Sequence, residues 1–447
     1  MTSEMERLKM HSSLRTLLCL LAIASLSARM EGQMPVPAPP QQRSVLVTGG
    51  TVHVGDGRTI DDGAVGFRDG RIDYVGYSYG VRSAYDTTIS VTGEHIYPGI
   101  IAVDALLGLS EIGSIRGTQD VRDVGDMEPE LRTLSAYKAD SRVIPTVRAN
   151  GVLMAQIVPR GPVISGTSSV VQLDAWDWEE AAYKVDDAVH LTWPAAFTEK
   201  GWWAEPKDAE RNERNERQER IEALRKFFRE AHAYAAVAAP EKVDVRLEAM
   251  RGLFNGSKRL FVRADRVKEI TEAVRFARDE GVRHTVIVGG YDAWRVGDML
   301  RENNVGVVLR RLHSLPLRAD DGVHLPYQLP ALLKEQGVRF CLGYAGDQEV
   351  TGLRNLPFVA GTASAFGLSA EEALSAITRD AAYILGIADR CGTLAVGKDA
   401  TLFVSHGDAL DMRTNDVRHA FIQGRRIVLD DHQRQLYRMY RERIEGQ

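Results

Sequence analysis

The middle of this 447-residue chain alternates short apolar segments with amphipathic segments of helical period, and this alternation limits the folds it can adopt. Residues 285–289, for example, form an apolar run typical of a buried strand, and residues 292–302 then follow helical spacing. Strands that alternate with helices form a parallel sheet with crossover helices. The pattern predicts an α/β fold with a TIM-like (β/α)8 barrel, although a doubly wound open sheet has the same local pattern.

The two ends of the folded region carry a different pattern. Residues 44–90 and 392–429 alternate apolar and polar side chains between Gly and Asp turns, which is typical of antiparallel strands and hairpins. Two β-rich ends around an α/β middle predict one small β-sandwich built from both termini. The predicted domain limits are 44–98 and 389–430 for the sandwich, 99–388 for the barrel and 431–447 for a C-terminal helix.

The first 28 residues have the pattern of a secretory signal peptide. Basic residues precede the apolar run 17–24, which is too short to cross a bilayer comfortably, and small residues follow it. The Pro-rich polar segment 29–43 predicts a disordered linker. We therefore expect a periplasmic or secreted protein with no membrane span in the mature chain.

The charge pattern excludes one class of partner, and the cysteine content leaves two possible thiol states. The formal net charge is −5, and acids and bases nearly cancel along residues 207–236, so we expect no nucleic-acid partner. Apolar residues recur at helical spacing in that segment, which predicts a long amphipathic helix. Cys341 and Cys391 would remain after signal removal, either as a disulfide pair or as two buried thiols.

Several phrases of the sequence resemble the amidohydrolase superfamily, near its imidazolonepropionase-related branch. They are Leu46-Val-Thr-Gly-Gly-Thr-Val, His95-Ile-Tyr-Pro-Gly, Ile164-Ser-Gly-Thr-Ser-Ser, Ala363-Ser-Ala-Phe-Gly-Leu-Ser-Ala-Glu-Glu-Ala-Leu and Gly392-Thr-Leu-Ala-Val-Gly-Lys-Asp-Ala. The resemblance covers residues 44–429 and implies the same barrel and sandwich. It also implies hydrolysis of non-peptide C–N bonds, such as those of cyclic amides, with one or two divalent metal ions.

On two barrel strands, this chain departs from the residues that the resemblance places around those metals. Asp104 and Leu106 stand where the first strand would carry two histidines. Arg263 stands where the fifth strand would carry another histidine, and a guanidinium cannot bind a cation.

The sixth and eighth strands depart in the same way. Gly289 or Gly290 occupies the histidine position of the sixth strand. On the eighth strand the expected Gly-Thr-Asp is replaced by Gly343-Tyr-Ala, and Asp347 follows two residues later. With four strands changed together, we expect neither zinc nor another family metal, and no other cofactor.

The remaining polar residues near the ends of the barrel strands form the predicted site. The candidate catalytic residues are Asp104, Asp347 and His313, and the candidate ligand-binding residues are Arg263, Tyr291 and Arg310. A fixed positive charge at Arg263 would repel a metal and accept a carboxylate or another anion bidentately. Arg263 can equally form a structural ion pair with Asp104 or Asp347, since buried charges are normally paired.

Two functions fit this pattern. The first is an exported amidohydrolase-superfamily protein that is catalytically impaired or non-catalytic, and that binds a small-molecule ligand or pairs with an active paralogue or with itself. The alternative is an active, divergent C–N hydrolase with a repurposed or metal-independent site. The two differ in whether an acid, a base and a nucleophile converge at the C-terminal end of the barrel.

Overall fold

The computed structural model describes residues 36–113, 115–196, 208–345 and 349–446, without the side chains of 208–214 and 349. The predicted signal peptide, residues 29–35 of the predicted linker and Asp347 therefore lie outside the described residues. The described chain contains two eight-stranded sheets, one from the middle of the sequence and one from its two ends. This arrangement confirms the predicted α/β class, with a TIM-like barrel and a β domain built from both termini.

The barrel sheet runs in the spatial order β13-β12-β11-β10-β9-β8-β7-β6. Its strands are β6 (Ile100–Ala105), β7 (Val152–Ile157), β8 (Ile164–Gln172), β9 (Ala182–Thr192), β10 (Arg259–Ala264), β11 (Thr285–Gly289), β12 (Gly306–Leu309) and β13 (Phe340–Leu342). Most of their residues are buried, because helices cover the outside of the barrel and side chains fill its interior.

One barrel strand runs against the others. β8 pairs antiparallel with both β7 and β9, whereas the remaining neighbours pair in parallel. The loop from β7 to β8, residues 158–163, is too short for the crossover connection that parallel strands need. The C-terminal end of β8 therefore lies at the opposite end of the barrel from the C-terminal ends of its neighbours.

The barrel interior is a compact apolar cluster to which every strand contributes. It includes Ile101, Met154, Val170, Ala188, Phe261, Val288, Val308 and Cys341. Beyond β13, the backbone of Gly343 approaches β6 so closely that a Cβ there would lie 3.3 Å from the Val103 carbonyl oxygen. This close approach nearly closes the barrel. Cys341 and Cys391 both lie in the cluster as buried, free thiols.

Twelve α-helices accompany these sheets in the described chain. They are α1 (Val143–Arg148), α2 (Trp178–Ala181), α3 (Asp208–Ala235), α4 (Val245–Asn255), α5 (Val267–Asp279), α6 (Gly297–Glu302), α7 (Leu325–Glu335), α8 (Glu349–Gly352), α9 (Leu356–Ala365), α10 (Ala370–Ile377), α11 (Arg379–Leu385) and α12 (His432–Glu445). The predicted amphipathic helix is α3, which buries Ile221, Leu224 and Phe228 against the barrel. None of the described helices is long and apolar enough to cross a membrane.

The second sheet brings the two ends of the folded chain together. Its strands are β1 (Val45–His53), β2 (Thr59–Arg68), β3 (Arg71–Tyr77), β4 (Thr87–Ser90), β5 (His95–Pro98), β14 (Leu402–Ser405), β15 (Val417–Ile422) and β16 (Arg425–Arg426). β1 is paired along its length with β4 and then β5, and β14 lies between β5 and β15. Apolar residues from both ends, including Phe67, Ile96, Leu402 and Phe421, form its core.

Candidate functional site

Asp104, at the C-terminal end of β6, is the centre of a cluster of arginines. Its side chain is 2% exposed, and Arg263 from β10 donates to both carboxylate oxygens, at 2.9 Å from Nη1 and 2.5 Å from Nη2. Arg160, from the loop after β7, donates to Oδ1 at 3.1 Å and to the backbone carbonyl of Asp104 at 3.0 Å. Arg263 therefore forms an ion pair with Asp104, which is one of the alternatives that the sequence left open, and Arg160 joins it.

The charges around Asp104 keep it ionised. Burial opposes ionisation, but the positive charges of Arg160 and Arg263, with the hydrogen bonds from Arg263, hold the pKa of the Asp104 carboxyl well below its usual range. The Asp104 backbone has a φ of 61°, a conformation that few residues other than glycine adopt. A carboxylate that is buried, ionised and hydrogen-bonded on both oxygens is a poor proton acceptor.

Arg310, just after β12, approaches the same carboxylate without a hydrogen bond to it. Its Nε lies 4.0 Å from Asp104 Oδ2. That nitrogen is buried and has no hydrogen-bond partner in the described part of the chain, although the side chain as a whole is 37% exposed. A buried guanidinium nitrogen without a hydrogen bond is costly, and the nearby charge of Asp104 offsets part of that cost.

His190, on β9, lies near the arginines inside the barrel. The ring is buried, and neither ring nitrogen has a hydrogen-bond partner among the described residues. Burial, together with the positive charge of Arg263, lowers the pKa of His190 to about 3. The imidazole is therefore neutral at physiological pH, and its low pKa makes it a weak general base.

A chain of polar groups continues from Asp104 into the barrel. The Asp104 N–H donates to Gln156 Oε1 at 3.3 Å, and Gln156 Nε2 donates to Asp187 Oδ2 at 2.9 Å. Ser168 Oγ donates to Asp187 Oδ1 at 2.7 Å. Burial raises the pKa of Asp187 against these hydrogen bonds. These three hydrogen bonds join buried residues of β6, β7, β8 and β9, so they stabilise the pairing of the barrel strands.

The end of β11 has no room for a metal-binding histidine. Gly289 has a φ of 104°, and a Cβ there would collide with the carboxylate of Asp265. At Gly290 a Cβ would lie 2.7 Å from Val307 Cγ1. Glycine at both positions is thus required by the local backbone and packing.

The other predicted site residues do not join the cluster. His313 is exposed, and its Nε2 shares a 2.7 Å hydrogen bond with Thr362 Oγ1 of α9. The Tyr291 hydroxyl donates to Asp321 Oδ2 at 2.9 Å and accepts from the Leu317 N–H at 3.1 Å. Of the six predicted residues, the structure brings together Asp104, Arg263 and Arg310, while Asp347 lies outside the described residues.

The cluster is unsuited to a divalent metal ion. Both oxygens of Asp104 accept hydrogen bonds from guanidinium groups, whose charges would repel a cation. Across the described ranges, no group of three or more His, Cys, Asp and Glu side chains could hold a metal ion. The arginine cluster instead has the chemistry of an anion site.

Sequence reasoning missed two members of this site. Arg160 stands between Pro159 and Gly161 directly after a barrel strand, and that position alone could have identified it. The apolar runs of the sequence predict barrel strands at 100–105, 152–158, 260–264, 285–289, 305–309 and 338–342. Neither β8 nor β9, which carries His190, is among them. Because β8 carries buried Ser and Thr, its sequence lacks the apolar run that identifies the other barrel strands.

Comparisons with known proteins identify the class. The model of the amidohydrolase family matches residues 163–427, more than half of the chain. The chain belongs to the amidohydrolase family. No curated protein sequence gives a significant match.

Solved structures share this fold. An amidohydrolase from Thermotoga maritima MSB8 superposes with a TM-score of 0.73 at 24% identity, over 86% of this chain and 99% of that one. An adenosine deaminase from Xanthomonas campestris with bound zinc has a TM-score of 0.52 at 18% identity, over 92% and 100% of the two chains. A prolidase in complex with N-methylphosphonate-L-proline has a TM-score of 0.54 at 17% identity, over 86% and 99%. At these identities the similarity shows the fold alone.

Proposed function

We propose that this protein is an exported member of the amidohydrolase family that has lost metal-dependent C–N hydrolysis and binds an anionic small molecule at its arginine cluster. The observation that carries the proposal is the bidentate pair of Arg263 and Asp104, at two positions where the resemblance places histidine ligands. A metal could bind Asp104 only by displacing Arg263, which would leave a buried guanidinium without its partner.

The loss of hydrolysis follows from the groups around Asp104. Metal-dependent hydrolysis needs a cation that acidifies a bound water and a base that accepts the proton. Here the cation position is taken by Arg263, Asp104 is saturated with hydrogen bonds, and His190 has a pKa of about 3. Neither Asp104 nor His190 is therefore suited to accept a proton near neutral pH.

The anion would bind at Arg310. Arg263 and Arg160 already donate to Asp104, whereas Arg310 Nε is buried, lacks a hydrogen bond and belongs to a side chain that is 37% exposed. The exposed part of this guanidinium can donate to a carboxylate or phosphate that enters at the end of the barrel where Asp104 lies.

Metal content tests the loss of hydrolysis. After expression with zinc, manganese and iron in the medium, we expect plasma mass spectrometry of the purified protein to find metal at background level. We also expect no turnover of cyclic amides or imides. Near-stoichiometric metal together with turnover would overturn the proposal and favour the divergent hydrolase.

A test variant and a matched control variant can show whether Arg310 binds an anion. Isothermal titration with acetate, succinate and inorganic phosphate should show binding to the wild type and its loss in Arg310→Met. The neighbouring Arg311 is exposed, so Arg311→Met should bind like the wild type. Equal binding by both variants, or no binding of any of the three anions, would refute the anion site.

Export rests on the first 28 residues. Cell fractionation should find the protein outside the cytoplasm, and N-terminal sequencing should find a start between residues 29 and 33. Cytoplasmic protein that begins at Met1 would contradict export.

A further inference from the structure

Two histidines and a glutamate join helix α10 (Ala370–Ile377) to the sheet from the two chain ends. His53 is the last residue of β1, His95 is the first of β5, and Glu371 lies in the first turn of α10. His53 Nδ1 lies 2.6 Å from Glu371 Oε1, and His53 Nε2 lies 3.0 Å from His95 Nδ1. These three side chains form a histidine junction between α10 and the sheet.

The histidine junction is largely shielded from water. The His53 and Glu371 side chains are 14% and 20% exposed, and the His53 ring stacks on Tyr97 with the ring centroids 4.3 Å apart. Glu371 Oε2 is buried and has no hydrogen-bond partner in the part of the chain that the structure describes. The carboxylate therefore depends on His53 for its hydrogen bond, and separation of the two side chains would leave a mostly buried charge without that partner.

The junction can take up one proton without losing a hydrogen bond. An ionised carboxylate only accepts hydrogen bonds, so the His53 Nδ1–H donates to Glu371. In the neutral ring His53 Nε2 is then an acceptor, and it receives the Nδ1–H of His95. An added proton goes to His95 Nε2, which lies outside this contact, and Glu371 balances its charge.

A second added proton breaks the contact between the two rings. Both nitrogens of a histidine cation carry a hydrogen, so two N–H groups would face each other across 3.0 Å. The two rings would also carry like charges at this distance. His53 and His95 can therefore both be cations only after they move apart.

Charged groups on three elements set the pH at which the second proton binds. The groups that face His95 are His53 of β1, Glu371 of α10 and Asp408 of the loop after β14. The adjacent Glu94 forms ion pairs with His406 and Arg418. Burial and the charge of the other imidazole lower the pKa of His95, whereas the two carboxylates that face it act in the opposite direction. The second proton therefore binds at a pH below the usual range for histidine.

We propose that the histidine junction is an acid-sensitive switch, closed while the two rings hold at most one added proton and opened by the second. Opening releases α10 from β1 and β5, although the Ser375 hydroxyl can still donate to the Gly55 carbonyl, 2.9 Å away. α10 also contacts β6 and β13, the two strands between which the barrel closes. Acid therefore loosens the helix that connects the sheet from the two ends with this part of the barrel.

Hydrogen exchange followed by mass spectrometry of the purified protein tests the switch. After correction for the intrinsic effect of pH on exchange, the amides of residues 370–377 should exchange at least about tenfold faster at about pH 4.5 than at about pH 7. In His95→Gln the second imidazolium cannot form, so the corresponding change should be under about twofold. His190 is present in both proteins, so its own response to acid is common to them.

Two further variants separate the switch from general loosening. Ser375→Ala removes the uncharged link to Gly55 and should speed exchange of residues 370–377 by the same factor at both pH values. His432→Gln removes an exposed histidine of α12 and should keep the acid response of the wild type. A wild type whose corrected exchange in residues 370–377 does not change with pH would overturn the proposal. So would an acid response in His95→Gln as large as that of the wild type.

Discussion

Asp104 at the mouth of the barrel and Asp174 beyond β8 are both buried aspartates that bind arginines. Since β8 is antiparallel, Asp174 lies at the opposite end of the barrel from Asp104. Arg148 donates to its Oδ1, Arg425 from β16 lies 3.3 Å from its Oδ2, and the Ala38 N–H donates to Oδ2 at 2.8 Å. This second cluster connects the barrel with the sheet from the two ends.

In the part of the chain that the structure describes, each cluster leaves one buried guanidinium nitrogen without a hydrogen bond. In the Asp174 cluster this nitrogen is Nε of Arg148, whose side chain is 4% exposed. In the Asp104 cluster it is Nε of Arg310, whose side chain is 37% exposed. Burial lowers the pKa of Arg148, although its hydrogen bond and ion pair with Asp174 oppose the shift. The same ion-pair chemistry thus serves as a structural connection where water is excluded and as a candidate binding site where a ligand can enter.

Removal of the carboxylate charge of Asp174 should have the largest effect on the free energy of unfolding. Asp174→Asn leaves Arg148 and Arg425 buried without their carboxylate, so we expect a loss of about 3 to 5 kcal/mol in the free energy of unfolding. Urea unfolding measures this loss. Asp298→Asn is the control, because Asp298 is an exposed partner of Arg301 and should cost under about 1 kcal/mol.

The corresponding change at Asp104 should cost less free energy of unfolding. Asn tolerates the left-handed backbone of Asp104, and water can reach the partly exposed Arg310, so Asp104→Asn should lose about 2 kcal/mol in the same urea experiment. A loss as large as that of Asp174→Asn would show that the mouth cluster is also a sealed structural connection.

The neutral His190 should make the mouth sensitive to acid. Its pKa falls to about 3 on folding from an unfolded value near 6.5, so its contribution to stability is complete above pH 6.5 and declines as the pH falls towards 3. At pH 5 the loss of unfolding free energy caused by His190, relative to pH 7, is about 2 kcal/mol. The difference in unfolding free energy between pH 7 and pH 5 should therefore shrink by that amount in His190→Leu. The exposed His432, changed to Gln, should leave the difference as in the wild type.

The smallest effect concerns the contact between Arg310 and Asp104. At 4.0 Å, with Arg310 partly exposed, a double-mutant cycle of Asp104→Asn and Arg310→Met should give a coupling energy under about 1 kcal/mol. Raising NaCl from 0.1 to 1 M should reduce this coupling. A salt-independent coupling above about 2 kcal/mol would mean that Arg310 is a buried structural partner and leave no role for it in anion binding.

The comparison also shows what the sequence could predict. Apolar runs and turn residues predicted the β domain at the two ends and helix α3, because burial determines those patterns. They predicted the strands and helices of the barrel as well, but a doubly wound open sheet has the same local pattern. The rule that buried charges have partners predicted an ion pair of Arg263 with Asp104 or Asp347 as one of two alternatives, and the sequence could not choose between them. β8 was missed because its buried Thr167 and Ser168 are satisfied by hydrogen bonds inside the protein, which periodicity does not reveal. His190 was missed together with the strand β9 that carries it.

The position of β14 has a consequence for how the chain matures. β5 hydrogen-bonds with β14 on one side, so β1 to β5 keep an open edge until residues 402–405 have been made. Open edges of this kind pair readily with other chains and lead to aggregation. A chain cut before residue 402 would keep this edge open, so we expect it to aggregate or to be degraded. Synthesis of β14 is the step that covers the edge of β5, and β15 then covers the edge of β14.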